Sequence, residues 1–175
     1  LIVLAEWKSS IFYGKELRLV TSNIRRNSPL CLDSKIHHAN LINNILAKIE
    51  ANYAGADDAL MLDLDGFVAE TNATNIFMIK NGLVITPFPK ACLPGITRSL
   101  IIEICKNNNI PIVEQDISVT ELYNADEVFT TGTMGELARV IEIDNRKIEN
   151  KGGVLMQLQS LFRKLTEVEG EKLPF

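Results

Sequence analysis

The stretch A-L-M-L-D-L-D-G-F-V-A-E-T-N-A-T-N-I-F-M-I-K-N-G-L-V-I-T, residues 59–86, decides the fold class of this chain. Asp65-Gly66 and Asn81-Gly82 are typical of tight hairpin turns, because Gly and Asn tolerate the positive φ that such turns require. Apolar and β-branched residues flank both turns. They predict short strands at Ala59–Asp63, Asn75–Lys80 and Leu83–Thr86. We therefore expect antiparallel pairing in the middle of the chain.

A helix is predicted just before this stretch, from Ala39 to about Gly55. Its apolar residues recur at helical spacing, and Gly55 is placed to end the helix in a left-handed conformation. The recurring residues are Leu41, Ile42, Ile45, Leu46, Ile49 and Tyr53. This is the clearest helical pattern in the chain.

Two longer helices are predicted after the stretch. One begins near Thr97 and stops within residues 107–109, ahead of Pro111. Its buried residues are expected to be Leu100, Ile101 and Ile104. The last helix has one apolar face, formed by Val154, Leu155, Leu158, Leu161, Phe162 and Leu165.

The remaining elements complete an α+β pattern. They are a strand at Ile112–Glu114, a short helix near Val119–Asn124, and strands at Glu127–Thr130 and Arg139–Ile143. Helices and hairpins are mixed without a strict βαβ repeat, which predicts a curved, mixed sheet flanked by helices. No linker-like segment divides residues 1–175, so we expect one domain. The opening residues L-I-V-L-A-E-W lack an initiator Met and predict a strand already under way, so we infer a missing N-terminus.

The composition excludes several classes of function. The 175 residues include 46% hydrophobic and 23% charged residues, and the net charge is −4. This balance gives no reason to expect nucleic acid or an anionic membrane as a partner, and no apolar run is long enough to span a bilayer. Cys31, Cys92 and Cys105 form no metal or disulfide pattern, which favours a reducing compartment. His37 and His38 are too few for most zinc sites, so no metal is predicted.

Lys35 lies in the segment S-K-I-H-H-A-N-L, residues 34–41, just ahead of the first predicted helix. There the helix end and partial burial would both favour a neutral amine, which a Schiff-base lysine must supply. The alternative, a solvated loop lysine, is the commoner case for a lysine taken without context.

Glu70 follows an apolar segment, residues 62–68, that is expected to be a strand, and it precedes a small polar run. Its carboxylate could point into a cleft, where opposite a pyridine nitrogen it would keep that ring protonated. A strand-end glutamate in water is the alternative.

Two polar turns have the composition of anion sites. Gly95-Ile96-Thr97-Arg98 combines a glycine, a hydroxyl and the N–H groups of a helix N-terminus, which suit a phosphate. Thr97 could equally be a simple N-cap. Thr130-Thr131-Gly132-Thr133 repeats the arrangement after a strand, although such turns are often only hydroxyl-satisfied loops.

Taken in order, these segments resemble one family. The motifs are S-K at 34–35, E-T-N-A-T-N at 70–75, L-P-G-I-T-R at 93–98 and T-G-T-M-G-E at 131–136. Together they resemble the fold-type IV enzymes that use pyridoxal 5'-phosphate (PLP): branched-chain aminotransferases, D-amino-acid aminotransferases and aminodeoxychorismate lyases. The wording is most like the plant D-amino-acid aminotransferase-like branch.

The resemblance implies a role for each matched residue. Lys35 would form the Schiff base with PLP and would move the proton between the substrate α-carbon and the cofactor. Glu70 would pair with the pyridine nitrogen. Ile96 and Thr97 would hold the phosphate through a backbone amide and a hydroxyl.

The last motif would complete the pocket. Gly132 and Thr133 would hold the other side of the phosphate, and Thr133 and Met134 would lie near the substrate carboxylate. The chain would be the larger C-terminal domain, a pseudo-barrel, of a two-domain subunit whose small N-terminal domain is absent. A homodimer would complete the site.

Three departures qualify this expectation. An arginine that grips the phosphate would lie in the absent domain, Ala39 replaces a usual Asn, and the sequences at 136–140 and 150–154 depart from the family wording. The function expected is transfer of an amino group between a small amino acid, branched-chain or D-amino acid, and a 2-oxo acid. The alternatives are an aminodeoxychorismate lyase that releases pyruvate and a truncated, non-catalytic remnant. The plant-like wording suggests a plastid, with the cytoplasm as the other compartment.

Overall fold

The computed structural model of the protein describes residues 15–168. The strand expected at residues 1–7 lies outside this range. The strands are β1 Leu17–Thr21, β2 Asp58–Leu62, β3 Val68–Thr71, β4 Asn75–Lys80, β5 Leu83–Thr86, β6 Ile112–Glu114, β7 Glu127–Gly132, β8 Glu136–Ile143 and β9 Arg146–Lys147. The helices are α1 Ile42–Tyr53, α2 Ile96–Asn107, α3 Val119–Tyr123 and α4 Val154–Val168.

The strands form one mixed sheet in the order β3-β2-β1-β8-β7-β4-β5-β6, with β9 added beside β8. The pairs β1–β2, β1–β8 and β5–β6 are parallel, and the other pairs are antiparallel. The β4–β5 hairpin turns through Asn81 and Gly82, both at positive φ, as expected of its two-residue turn. The prediction of a curved, mixed sheet flanked by helices is confirmed.

The two faces of the sheet carry separate apolar clusters. One face packs in a core with α3 and the segment before it, where Ile76 and Met78 of β4 lie with Ile117 and Leu122. On the other face, alternate residues of β4 pack against α2 and α4, and Phe77 stacks on Phe129 with ring centroids 5.0 Å apart. Alternation along each strand therefore places α3 on one face of the sheet and α2 and α4 on the other.

Helices α2 and α4 bury most of the residues that their patterns predicted, although Leu100 of α2 is only partly buried. Ile101 and Ile104 of α2 lie in one cluster with Leu155, Leu158 and Phe162 of α4. The N-terminus of α4 is capped by Glu127 of β7, whose carboxylate accepts from two backbone N–H groups at 3.1 and 3.3 Å. A carboxylate at this end is favoured by the helix dipole.

Helix α1 is oriented differently. Its buried residues are Ala47 and Ala51, which pack on Ala59 and Met61 of β2. The apolar residues that predicted the helix are exposed: Leu41, Ile42, Ile45, Leu46, Ile49 and Tyr53. An apolar face normally lies against a core, so this face is without a cover in the described part of the chain.

Strand β3 corrects the expectation for Glu70. The predicted strand over residues 62–68 is wrong, because Leu62 ends β2, a turn occupies residues 63–67, and Glu70 lies inside β3. The register shifts between Met61 and Leu62, so that Leu62 faces Val68 while Met61 faces Glu70. This bulge re-aims the Glu70 side chain to the face of Met61, the face that α1 covers.

Other boundaries differ by a few residues. Strand β8 begins at Glu136 rather than Arg139, and α1 begins at Ile42 rather than Ala39. Gly55 has φ +71, as the predicted left-handed end of α1 requires. Among the described helices, none is both long and apolar enough to cross a bilayer.

Candidate active site

One cavity of about 680 Å³ brings the predicted segments together. Six of the seven predicted site residues line its walls. They are Glu70, Ile96, Thr97, Gly132, Thr133 and Met134. These residues come from three separate parts of the sequence, yet they share a single space. The volume lies within the usual range for ligand pockets, roughly 300–1,000 Å³.

Lys35 is the exception. Its side chain is 47% exposed, and Nζ lies 3.6 Å from Asp33 Oδ2. Lys35 N also donates to Asp33 Oδ1 at 3.0 Å, which holds the loop in a local turn. The lysine belongs to the loop between β1 and α1, and His37, not Lys35, is the residue of that segment that lines the cavity. The partial burial expected for Lys35 is therefore wrong in this conformation.

Glu70 is held from two directions. Oε1 forms an ion pair with Arg26 Nη2 at 3.0 Å, and both side chains are 8% exposed. Oε2 accepts from Asn75 Nδ2 at 3.3 Å, and Asn75 Nδ2 also donates to the Leu93 carbonyl at 2.8 Å. Strands β3 and β4 are not neighbours in the sheet, so these contacts bring their polar residues together at the cavity.

The environment of Glu70 changes its acidity. Burial raises the pKa of the Glu70 carboxyl from 4.5 to about 7, while Arg26 and the backbone of Leu93 act in the opposite direction. Burial disfavours the charged form, and a nearby cation favours it. The carboxyl therefore titrates near neutral pH, in the range that acid–base chemistry uses.

The N-terminus of α2 forms a second wall. Gly95 holds the N-cap position, and Thr97 is buried in the first turn. The alternative that Thr97 is itself the N-cap is therefore wrong. A Cβ at Gly95 would collide with Asn75 Oδ1, so only glycine lets α2 approach β4 this closely. The free N–H groups of this helix end are suited to an anion.

The turn after β7 also lines the cavity. Gly132 pairs with Glu136 across the turn, and a Cβ at Gly132 would lie 3.0 Å from Thr74 Cγ2. Thr131 lines the cavity and is buried, yet its Oγ1 has no hydrogen-bond partner among the described residues. A buried hydroxyl without a partner is costly unless a ligand or water supplies one.

One end of the cavity carries charges that the sequence did not single out. Lys48 of α1 lines it, and Lys48 Nζ lies 3.2 Å from Asp58 Oδ1 and also donates to the Asp57 carbonyl. Asp58 is buried, and its Oδ2 has no partner within residues 15–168. The acidic pair Asp57-Asp58 thus borders the cavity.

Sequence reasoning missed the residues that hold Glu70. Arg26 was missed, because a sequence gives no sign that an arginine will be buried beside a particular carboxylate. Asn75 was within the motif at 70–75, and its place two strand positions before the apolar Phe77 was a usable signal. Thr131 was quoted in its turn but received no role.

The cavity suits the cofactor that the motifs predict. The α2 N-terminus and Thr131, whose hydroxyl has no partner among the described residues, both line the cavity and offer donors that a phosphate would require. Glu70, on the cavity wall, is a carboxylate of the kind that a pyridine nitrogen requires. The described residues contain no group of three or more His, Cys, Asp or Glu side chains that could hold a metal ion.

Comparison with known proteins gives the same assignment. The family model for amino-transferase class IV matches residues 1–143. Branched-chain-amino-acid aminotransferase-like protein 2 of Arabidopsis thaliana is 56% identical over 99% of this chain, and the match covers 32% of that protein. The chain therefore spans about a third of this plant relative.

Solved structures agree with the sequence match. A branched-chain aminotransferase from Thermoproteus uzoniensis with norvaline has a TM-score of 0.84 at 32% identity, over 89% of this chain and 53% of that one. The PLP form of the enzyme from Thermobaculum terrenum has a TM-score of 0.82 at 31% identity, over 86% and 50%. The predicted fold is thus found in enzymes of this class. The chain belongs to the class IV aminotransferase family.

Proposed function

We propose that this chain is the PLP-binding part of an aminotransferase that transfers an amino group between a small amino acid and a 2-oxo acid. The observation that carries the proposal is the single cavity on which Glu70, the α2 N-terminus and the turn at Gly132-Thr133 converge. Each of these supplies a different contact that PLP requires: a carboxylate for the ring nitrogen and two sets of donors for the phosphate. The PLP-bound neighbour from Thermobaculum terrenum supports the cofactor.

Each residue of the site would have a separate role. When bound, PLP supplies an aldehyde that an amine can attack and a ring that withdraws electrons from the substrate α-carbon. Glu70 would hold the ring nitrogen protonated, and Ile96 N–H with the Thr97 hydroxyl would bind the phosphate. Gly132 and Thr133 would close its other side. Lys35 Nζ would hold the cofactor and move the proton at the α-carbon.

The substrate is proposed to be small and aliphatic, either branched-chain or a D-amino acid. Met134, Leu93 and Ile96 contribute apolar surface to the cavity wall. Thr133 and Met134 would lie near the substrate carboxylate. The Thermoproteus uzoniensis neighbour was solved with norvaline, an amino acid of this size, which supports a small aliphatic side chain.

A homodimer is proposed as the working assembly. The exposed apolar face of α1 supports it, because monomeric proteins seldom leave a contiguous apolar patch of this kind uncovered. A two-fold interface would cover the face with its own copy.

A non-catalytic role is the second candidate, and one observation favours it. Lys35 is paired with Asp33 and does not line the cavity. In an active chain the loop from β1 to α1 must turn Lys35 toward the cavity when PLP binds, whereas in an inactive remnant it would stay outside.

The attachment of PLP tests these candidates. Borohydride reduction of the chain with PLP should fix the cofactor on Lys35, identified by peptide mass spectrometry. Lys35→Ala should lose the label and the visible absorption band. Lys48→Ala is the matched control, because Lys48 is the other lysine near the cavity and should be dispensable for attachment. Label on Lys48, or no label, would contradict the proposed role of Lys35.

The reaction is tested with this chain and with a longer form of the protein that contains it. An aminotransferase should convert an amino acid only when a 2-oxo acid acceptor is present, and leucine, D-alanine and D-glutamate distinguish the substrate classes. Pyruvate released from aminodeoxychorismate without an acceptor would indicate the lyase instead. The compartment, plastid or cytoplasm, stays a prediction, and fluorescent fusion of the full-length protein in plant cells checks it.

A further inference from the structure

Arg26 makes the most complete set of contacts of any cation described near the cavity. Its Nη2 pairs with Glu70 Oε1 at 3.0 Å, Nη1 donates to Asn44 Oδ1 at 2.5 Å, and Nε donates to the Ala91 carbonyl at 3.2 Å. Its own backbone N–H donates to the Leu62 carbonyl at 2.9 Å. The guanidinium plane is therefore fixed by groups from separate parts of the fold.

Asn44 extends these contacts to helix α1. Its Oδ1 accepts from Arg26, and its Nδ2 donates to the Asn72 carbonyl at 2.8 Å. Asn72 belongs to the turn that directly follows Glu70 and β3. The helix after the Lys35 segment thus reaches the cavity carboxylate through one asparagine and one arginine.

We propose that Arg26 is a positioning residue of the PLP site, oriented by Asn44, that favours the ionised form of Glu70 and holds its carboxylate in one orientation toward the ring nitrogen of the cofactor. The proposal rests on the proposed function for its consequence at the cofactor, but the contacts themselves belong to the chain alone. An arginine suits this position because its guanidinium presents five N–H donors in one rigid plane, whereas a lysine ammonium is a compact charge on a flexible stem that fixes no plane.

The charged and titratable neighbours of Glu70 set its acidity. Arg26 is the basic side chain that lowers the pKa of Glu70, against the larger effect of burial. The buried Cys92 thiol is also near, since Glu70 raises its pKa and Arg26 lowers it, and burial keeps it neutral with a pKa of about 12. His37, Lys48, Asp57 and Asp58 are the other titratable groups on the cavity wall.

The consequence concerns where a proton sits. When a pyridine nitrogen faces Glu70, one proton is shared between that nitrogen and the carboxylate. The charge of Arg26 lies directly against the carboxylate, so it favours the proton on the nitrogen. A protonated ring withdraws electrons better, and Arg26 thereby supports the reaction without touching substrate.

The first experiment measures the unloaded chain. The Glu70 carboxyl is followed by ¹³C NMR with labelled glutamate, and its signal is assigned by its loss in Glu70→Gln. The wild-type midpoint is expected at about 7. Arg26→Met should raise it by about one pH unit or more, the usual effect of losing an opposite charge at contact distance. Arg26→Lys should restore much of the shift.

A matched control separates this effect from the general loss of a buried arginine. Arg98 is as buried as Arg26, but it binds Glu114 Oε2 at 2.5 Å and the Pro87 carbonyl at 2.8 Å. Arg98→Met should leave the Glu70 midpoint unchanged. Asn44→Ala keeps every charge but removes the hydrogen bond that orients Arg26, together with the one to the Asn72 carbonyl. A smaller rise is expected, and this variant serves if Arg26→Met does not fold.

The second experiment measures the loaded chain with PLP labelled by ¹⁵N at the ring nitrogen. At pH 8 the wild-type shift should be that of a protonated ring, and Arg26→Met should move it toward the neutral ring. A Glu70 midpoint that does not move in Arg26→Met or Asn44→Ala would overturn the proposal, even if PLP attaches to Lys35. If PLP fails to attach while the midpoint moves as expected, the proposed function fails and the role of Arg26 toward Glu70 stands.

Discussion

Helices α1 and α2 are both 12 residues long, and both border the cavity, but they bury different kinds of residue. Helix α2 buries Ile101 and Ile104 beneath α4. Helix α1 buries Ala47 and Ala51, while its large apolar residues face outward. Apolar spacing therefore predicts a helix but not which face of it lies against the sheet.

Replacing one isoleucine on each helix with alanine should give the largest change in the free energy of unfolding. Ile101→Ala removes a side chain with no exposed surface, so the free energy of unfolding should fall by about 2–5 kcal/mol. Ile45→Ala on α1 removes an exposed side chain and should change it by less than about 0.5 kcal/mol in the monomer. Urea unfolding of dilute protein measures both. Equal losses would show that α1 is packed against the rest of the monomer after all.

The carboxyl of Glu70 should have the next largest effect on stability. Because the pKa of Glu70 is raised from 4.5 to about 7 on folding, the folded chain binds its proton more tightly than the unfolded chain. Its contribution to stability is therefore complete below pH 4.5 and is lost as the pH rises through about 7. The loss should approach about 3 kcal/mol, at 1.36 kcal/mol per pKa unit.

Glu70→Gln isolates this contribution, because glutamine does not titrate. Urea unfolding of both proteins from pH 4.5 to pH 8 should show wild type losing stability relative to the variant as the pH rises. A constant difference across that range would mean that Glu70 titrates in the folded chain as it does in the unfolded chain.

A smaller effect is expected where α1 meets the sheet. Ala47 has no exposed surface and packs on Ala59 and Met61. Ala47→Leu would force a larger side chain into this contact and should cost about 1–3 kcal/mol. Ala54→Leu is the matched control, since Ala54 is exposed at the end of the same helix. If both substitutions are tolerated equally, α1 does not lie as closely on β2 as the structure has it.

Most of the fold follows from local sequence. The Asn81-Gly82 turn, the periodic helices and the short strands are set by neighbours in the chain, and they were predicted within a few residues. Strand β3 was missed because its hydrophobic pattern, Val68-Ala69 followed by Glu70 and Thr71, ends in polar residues that the cavity requires. The orientation of α1 was not predictable either, because alanine carries too weak a hydrophobic signal to mark a buried face.

The site divides in the same way. Glu70 and the threonine turns were predicted because the motif residues themselves carry the chemistry. Arg26, which pairs with Glu70, and Asn44, which binds Arg26, were not, because these contacts depend on a bulge in β3 and on the path of the loop after β1. Such long-range contacts have no local signature in one sequence.

Substitutions on the exposed face of α1 should change stability least but should change the oligomeric state. Replacing Ile45 and Ile49 together with serine leaves the buried face of α1 intact, so the unfolding free energy of the monomer should change little. If the exposed face of α1 covers its own copy, analytical ultracentrifugation should show a dimer for wild type and a monomer for this variant. Ser99→Ala with Glu103→Gln, on the exposed side of α2, should leave the dimer unchanged. A wild-type chain that stays monomeric at high concentration would instead assign the α1 face to a different partner, because an apolar surface of this kind gains little by facing water.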